Sequence, residues 1–189
     1  DADKLIEKNW YEAVDLADGF SITLTPARHF SGRLFNRNIS LWTSYVLETP
    51  SKKIFLGGDS GYGKHYANIG KKFGPIDLAI LENGQYDVKW KYIHLLPNET
   101  LQAAKDLNAK RLFPVHSSKF VLANHPWDEP LERIYQAAQQ QQQEKGARAH
   151  AAGGQRAGTR RSSRSAAATA AATAPPTTAA ADSTDPAQI

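Results

Sequence analysis

The sequence contains no cysteine and no methionine. Without cysteine the chain has no disulfide, no thiolate zinc site and no cysteine nucleophile, so histidine, aspartate or glutamate must hold any metal. Because the chain begins at Asp1 and lacks methionine, we expect it to be a processed chain or a fragment. No apolar run approaches the roughly 20 residues of a membrane span, and no charged-then-apolar leader opens the chain. We therefore expect a cytoplasmic protein, with a leader upstream of Asp1 left open.

Aromatic residues are absent after Tyr135, which divides the sequence into two unlike parts. All 7 Phe, 7 Tyr and 4 Trp lie at or before that position. Residues 146–189 contain 16 Ala, 5 Arg and 2 Asp but no Leu, Val or Phe. Such a segment cannot bury enough apolar surface to offset the entropy of ordering it. We predict a partial domain over residues 1–145 and a disordered, low-complexity tail over residues 146–189.

Two interpretations of the tail stay open. Arg160, Arg161 and Arg164 could form a basic arm for nucleic acid or acidic surfaces. No aromatic side chains lie between them to stack on bases, so nucleic acid is not the expected partner. The alternative is a solvated tail, or sequence out of frame with the domain, since the composition changes abruptly after the glutamines of residues 139–143.

Short apolar runs separated by turn signals predict an α/β domain. Five of them have strand character: residues 20–24, 41–47, 53–56, 76–81 and 111–115. Three stretches predict helices: residues 66–73, 98–107, and 131 to about 143. Strands come first and then alternate with helices, which favours a layered fold whose functional groups lie on loops at the sheet ends.

Polar residues suited to metal chemistry follow three of these strands. His29 comes after the first strand, Asp59 lies in a Gly-Asp-Ser-Gly turn after the third, and His116 directly follows the last. Neutral imidazole and carboxylate are good zinc ligands, and Gly58 and Gly61 let the backbone turn sharply around the aspartate. A lone histidine at a strand end is more often a capped or surface residue, but the set of three suits a metal such as zinc at the strand ends.

A longer set of motifs resembles the metallo-β-lactamase superfamily. The motifs are PARHFSGR at 26–33, GDSGY at 58–62, FGPIDLA at 73–79, YIH at 92–94, and PVH at 114–116 followed by FVLAN at 120–124. From about Phe20 to Pro130 the chain is similar to the C-terminal half of that fold. The nearest branch resembles hydrolases similar to N-acyl-phosphatidylethanolamine-hydrolysing phospholipase D. The resemblance implies the C-terminal half of an αββα sandwich, followed by the tail.

The resemblance implies a role for each matching residue. His29 matches the histidine that binds the first metal, and His116 matches the histidine that binds the second. Asp59 matches the carboxylate that bridges both ions. His94 matches a histidine near the substrate end of the site, a candidate for phosphate contact or proton transfer. Asp59 and His94 are therefore the expected catalytic residues.

Tyr62 and Arg33 are the expected pocket residues. Tyr62 follows the aspartate turn as in the family, and Arg33 could meet phosphate charge, although its position equally suits a solvated loop charge. After the last metal histidine the branch typically has Trp-Gly, whereas this chain has Ser117-Ser118. That difference alters a pocket wall and leaves the shape of the substrate open.

One expected motif is absent. The family's first half carries His-x-His-x-Asp-His, and no such string occurs among the six histidines, of which His65 is expected to be exposed on a polar helix. We therefore expect the chain to start after that motif. Two protein ligands then remain for each metal, where a catalytic zinc normally has three. We predict weak metal binding, an exposed apolar sheet face, and a chain that alone is inactive and poorly stable.

The resemblance also implies a chemistry for the intact parent. Two zinc ions would share a water and convert it to a hydroxide that attacks phosphorus or a carbonyl. The leading expectation is a phospholipase D-like phosphodiesterase that acts on a small-molecule or lipid phosphoester. A lactonase or sugar-phosphate esterase of the same superfamily and a non-catalytic RNA-binding protein with a basic tail stay as alternatives. The identity of the metal and the oligomeric state are left open.

Overall fold

The computed structural model describes residues 5–33 and 35–159, and this part of the chain contains eight strands and three α-helices. The strands are β1 (Ala13–Asp15), β2 (Ser21–Pro26), β3 (Gly32–Arg33), β4 (Asn36–Arg37), β5 (Thr43–Glu48), β6 (Lys53–Leu56), β7 (Leu78–Glu82) and β8 (Leu112–Val115). The helices are α1 (His65–Phe73), α2 (Glu99–Asp106) and α3 (Glu129–Thr159), with short 3₁₀ turns at Ala17–Gly19 and Val88–Trp90. All eight strands, with α1 and α2, belong to one compact unit that ends at Ala138.

Six strands form one mixed sheet in the order β1-β2-β5-β6-β7-β8. The first four pair antiparallel, whereas β6, β7 and β8 run parallel. Parallel neighbours need a crossover, and α1 and α2 provide the two that this sheet requires. The segment of chain that connects β2 to β5 contains β3 and β4, which pair with each other in a separate two-stranded ribbon. The predicted α/β class is confirmed, and each of the five predicted strands overlaps an observed one.

The hydrophobic core lies between one face of the sheet and the two crossover helices. Val46, Phe55 and Ala79 are neighbours across β5, β6 and β7, and all three are fully buried. Ile69 of α1 and Leu107 at the end of α2 pack against them. Because alternate residues of a strand point to the same face, these three buried residues show which face of the sheet lies against the helices.

The opposite face of the sheet is apolar and partly open. Leu24, Tyr45, Leu56, Ile80 and Phe113 form a row of register neighbours across five strands. Tyr45 is 37% exposed and Phe113 58% exposed, and the other three are half-buried. The predicted exposed apolar sheet face is thus observed in part, since only two of these five residues are exposed.

The structure differs from the prediction at the end of α3. The helix runs past residue 143 and includes 146–159, which the sequence assigned to the disordered tail. Five alanines and two arginines make up half of residues 146–159, and both residue types have high intrinsic helix propensity, although the four glycines there do not. Residues 160–189 lie outside those described, so the predicted tail and the domain boundary stay predictions. Within the described ranges, no helix combines the length and the apolar character needed to cross a bilayer.

Candidate metal centre

Three predicted site residues meet at one edge of the sheet. One candidate ligand atom from each of His29, Asp59 and His94 lies within 4.8 Å of the other two. His29 follows β2, Asp59 follows β6, and His94 lies in the turn after the 3₁₀ segment that follows β7. Because β2, β6, β7 and β8 all run in the same direction, their carboxyl ends share this edge. The sheet direction therefore brings together residues that are far apart in sequence.

His116, the first residue after β8, completes the group. Its Nε2 lies 3.7 Å from Oδ2 of Asp59, and its ring stacks on the ring of His94 with centroids 5.6 Å apart. Two ligand atoms on a shared tetrahedral zinc lie about 3.4 Å apart, given zinc–ligand distances near 2.1 Å. The structure thus places all three residues predicted as metal ligands, and His94 with them, in one cluster.

Local backbone geometry explains how the strand ends present these side chains. Gly58 has φ +61°, so the chain reverses immediately before Asp59 in a conformation that favours glycine. His116 itself has φ +70°, an uncommon conformation for a residue with a side chain, which is often found at functional sites. Gly84 makes room for it, because a Cβ at position 84 would lie 2.7 Å from Cδ2 of the His116 ring.

Glu82, the last residue of β7, is a site residue that the sequence analysis missed. Its side chain is 1% exposed, and its Oε2 lies 2.7 Å from Nδ1 of His94. This hydrogen bond is the main reason that the pKa of His94 is raised above its usual value; burial opposes the increase, and the charges of Glu82 and Asp59 add to it. The signal was available, since Glu82 directly follows the predicted strand of residues 76–81, as His116 follows the predicted strand of residues 111–115.

His65 is buried, so the expectation that it is exposed is wrong. It opens α1 and is 5% exposed, with Nε2 3.2 Å from Oγ of Ser60. Desolvation by burial lowers its pKa to about 4, and the positive charge of Arg28 acts in the same direction. The apolar residues that follow His65 in α1 pack into the core, and their helical spacing draws this first turn inwards with them.

Of the two predicted pocket residues, only Tyr62 has a side chain that the structure describes. The Tyr62 hydroxyl donates to Asp106 at the end of α2, and this hydrogen bond, followed by burial, raises the pKa of Tyr62 to about 12. Its ring stacks on Tyr66 of the core, with centroids 6.0 Å apart. The backbone of Arg33 pairs with Asn36 in the β3–β4 ribbon, and its side chain lies outside the described part of the structure.

A cavity of about 420 Å³ opens beside the histidines. Its lining consists of Gln85, Trp90, His94, His116, Ser117, Ser118, Lys119, Phe120 and Leu122. The Ser117-Ser118 pair is therefore part of a pocket wall, as the sequence implied, whereas Tyr62 is not among these lining residues. Phe120 and Leu122 are 65% and 66% exposed, so the outer rim is apolar. A larger cavity of about 740 Å³ beside Tyr86 and Arg133 contains none of the predicted ligands.

The comparisons with known proteins give the class that this fold and site define. Residues 1–117 match the beta-lactamase superfamily domain, so the chain belongs to that superfamily. It is 54% identical over 106 residues to the outer membrane protein RomA of Klebsiella pneumoniae, covering 56% of this chain and 80% of RomA. It is 37% identical over 146 residues to the mitochondrial N-acyl-phosphatidylethanolamine-hydrolyzing phospholipase D of Saccharomyces cerevisiae, covering 72% of this chain and 31% of the yeast protein.

The likeness extends to a solved structure. Igni18, a metallo hydrolase of the archaeon Ignicoccus hospitalis, superposes with a TM-score of 0.54 at 23% identity, covering 70% of this chain and 54% of that one. At this identity the likeness establishes the fold. The predicted superfamily and fold are confirmed. The substrate, the identity of the metal and the role of each site residue stay predictions.

Proposed function

We propose that this chain carries part of the active site of a zinc-dependent phosphodiesterase of the superfamily. The observation that carries the proposal is the convergence of His29, Asp59, His94 and His116 at one sheet edge. Imidazole nitrogens with a carboxylate form the mixed set of donors that zinc prefers. When bound, zinc would supply Lewis acidity and lower the pKa of a coordinated water.

Each residue of the chain has a separate task in this proposal. Asp59 would be the shared ligand, because it lies within reach of His29 on one side and His116 on the other. In its protonated form, His94 would donate a hydrogen bond to a phosphate oxygen or give a proton to the leaving group. Its Nδ1 is bonded to Glu82, so Nε2 is the nitrogen that remains for this task.

A phosphodiester with an apolar substituent suits the cavity beside the histidines. Lys119 gives that cavity a cation that can attract a phosphate, and Phe120 and Leu122 offer apolar contact further out. The yeast relative is named as an enzyme that hydrolyses a phospholipid, and this supports the same class of substrate. The arginines of the RNA-binding alternative, Arg160, Arg161 and Arg164, lie outside the described residues.

Cobalt(II) spectroscopy tests the site without requiring turnover. Cobalt(II) added to the metal-free chain is expected to give visible d–d bands, because nitrogen and carboxylate ligands bind it in zinc sites. Diethyl phosphate should then change those bands, whereas γ-butyrolactone should not. The variant H116N should weaken the bands, and the matched variant H125N, at a histidine in the larger cavity, should not. Bands that respond only to the lactone would favour the lactonase instead.

A further inference from the structure

Glu82 is the most enclosed acidic group near the cluster of site histidines, at 1% exposure. Its Oε1 accepts the backbone N–H of Ser60 at 2.9 Å and that of Leu95 at 3.1 Å. Its Oε2 lies 2.7 Å from Nδ1 of His94. Three of the roughly four acceptor positions of the carboxylate are thus occupied by groups of the protein itself.

The partners of Glu82 connect three of the loops that carry predicted site residues. Ser60 directly follows Asp59, and Leu95 directly follows His94. The connection extends one step further, because Oγ of Ser60 accepts the backbone N–H of Arg28, the residue before His29, at 2.9 Å. Glu82 therefore fixes the turn at Asp59 directly and the loop at His29 through Ser60.

The contact with His94 also selects a tautomer. A carboxylate only accepts hydrogen bonds, so the imidazole nitrogen that faces it must carry the proton. In neutral His94 that nitrogen is Nδ1, and Nε2 then carries the free lone pair. A carboxylate behind a histidine that binds a metal or moves a proton fixes the orientation of the ring in this way.

We propose that Glu82 is a positioning residue, which holds His94 in the Nδ1–H tautomer and ties its loop to the turn that presents Asp59. The competing role is that of a metal ligand, because Glu82 also lies in a group with His94 and His116 whose candidate ligand atoms are within 4.8 Å. The three hydrogen bonds that its oxygens already accept favour the positioning role. The predicted effect of Glu82 on zinc affinity rests on the proposed function, whereas its effect on the tautomer of His94 does not.

Nitrogen-15 NMR of the metal-free chain, labelled at histidine, tests the tautomer directly. At a pH where His94 is neutral, we expect Nδ1 to be protonated and Nε2 unprotonated, with the signal assigned by its loss in H94Q. In E82Q the amide oxygen is needed by the two backbone N–H groups, so the amide NH₂ faces Nδ1. The Nε2–H form should then predominate. The matched variant E99Q, whose carboxylate accepts the backbone N–H of Leu96 at 2.8 Å, should leave the tautomer of His94 unchanged.

Zinc titration of the same proteins separates this inference from the proposed function. E82Q should bind zinc about 10-fold more weakly than the parent chain, because Glu82 fixes the turn that presents the proposed ligand Asp59. If the parent chain binds no zinc, the proposed metal site is refuted. If the tautomer of His94 nevertheless changes in E82Q, the role of Glu82 is still supported. Two results would overturn the role of Glu82. One is the Nε2–H form of His94 in the parent chain. The other is the Nδ1–H form in an E82Q protein that circular dichroism shows to be folded. If E82Q does not fold, the parent spectrum decides.

Discussion

Nε2 of His116 lies 3.7 Å from Oδ2 of Asp59, at the edge of the sheet where β8 and β6 end. Their side chains are 48% and 40% exposed, so water screens the pair and a direct ion pair contributes little to stability. Packing therefore gives no reason for these two groups to approach each other. The metal ion that we propose for this site would give such a reason, so the pair is the most direct target for testing the proposal.

Asp59→Asn should weaken zinc binding by at least about 10-fold, because it removes the carboxylate that lies near both His29 and His116. The free energy of unfolding should change by no more than about 0.5 kcal/mol, since the side chain is partly exposed and its ion pair with His116 is screened by water. Isothermal titration calorimetry with zinc measures the first effect and urea unfolding the second. Asp15→Asn, at an exposed position of β1, is the matched control and should change neither.

The parent chain itself should bind fewer than two zinc ions. The described residues bring three candidate ligand atoms together around Asp59, and a second ion would depend on His116 and groups already in use. Metal analysis by inductively coupled plasma after dialysis against a zinc-free buffer measures the retained metal. Two tightly held ions per chain would show that this set of ligands is more complete than we infer.

The sequence predicted the parts of the site that follow apolar strands directly. His116 comes straight after one strand and Asp59 follows another within a glycine turn, so the rule that strand ends carry function was enough to find them. His94 lies in an irregular turn, and only the family motif pointed to it. Glu82 obeyed the strand rule, but its importance depends on burial and on three partners from distant loops, which spacing does not reveal.

The fold was predictable for similar reasons. Strands with buried apolar residues stood out by composition. β1 is only three residues long, and β3 and β4 contain no apolar side chain, so these strands gave no signal. The buried environment of His65 was mispredicted, because the polar character of a short helix does not show which side faces the core.

Gly84→Ala should disturb the site through His116. The added methyl group would lie 2.7 Å from Cδ2 of that ring and 3.0 Å from its backbone oxygen, so the ring must move. We expect zinc affinity to fall several-fold and stability to fall by about 1–3 kcal/mol, as in other overpacked sites. Gly146→Ala in α3 meets nothing within 4 Å and should raise helix stability by up to about 1 kcal/mol. Equal zinc affinities for the two variants would contradict this account.

Acid should destabilise the chain through His65. Its pKa in the folded state is lowered to about 4 from the usual 6.5, so the folded protein keeps it neutral while the unfolded chain takes up a proton. Stability from this source is complete above pH 6.5 and is lost as the pH falls towards 4, by about 3 kcal/mol in total. Urea unfolding of metal-free protein at several pH values should show a shallower pH dependence in His65→Gln. Parallel curves for the two proteins would mean that His65 is not protected from protonation.

Two phenylalanines on nearby strands separate the covered face of the sheet from the open one. Phe55 of β6 is fully buried beneath the crossover helices, and Phe113 of β8 is 58% exposed on the other face. Phe55→Ala should cost about 3–5 kcal/mol, because it leaves a cavity in the core. Phe113→Ala should cost much less and should reduce the fluorescence of a dye that binds exposed apolar surface, such as ANS. Urea unfolding and dye titration measure both effects. Similar losses of stability for the two variants would mean that the open face is packed in solution, since an exposed ring has few contacts to lose.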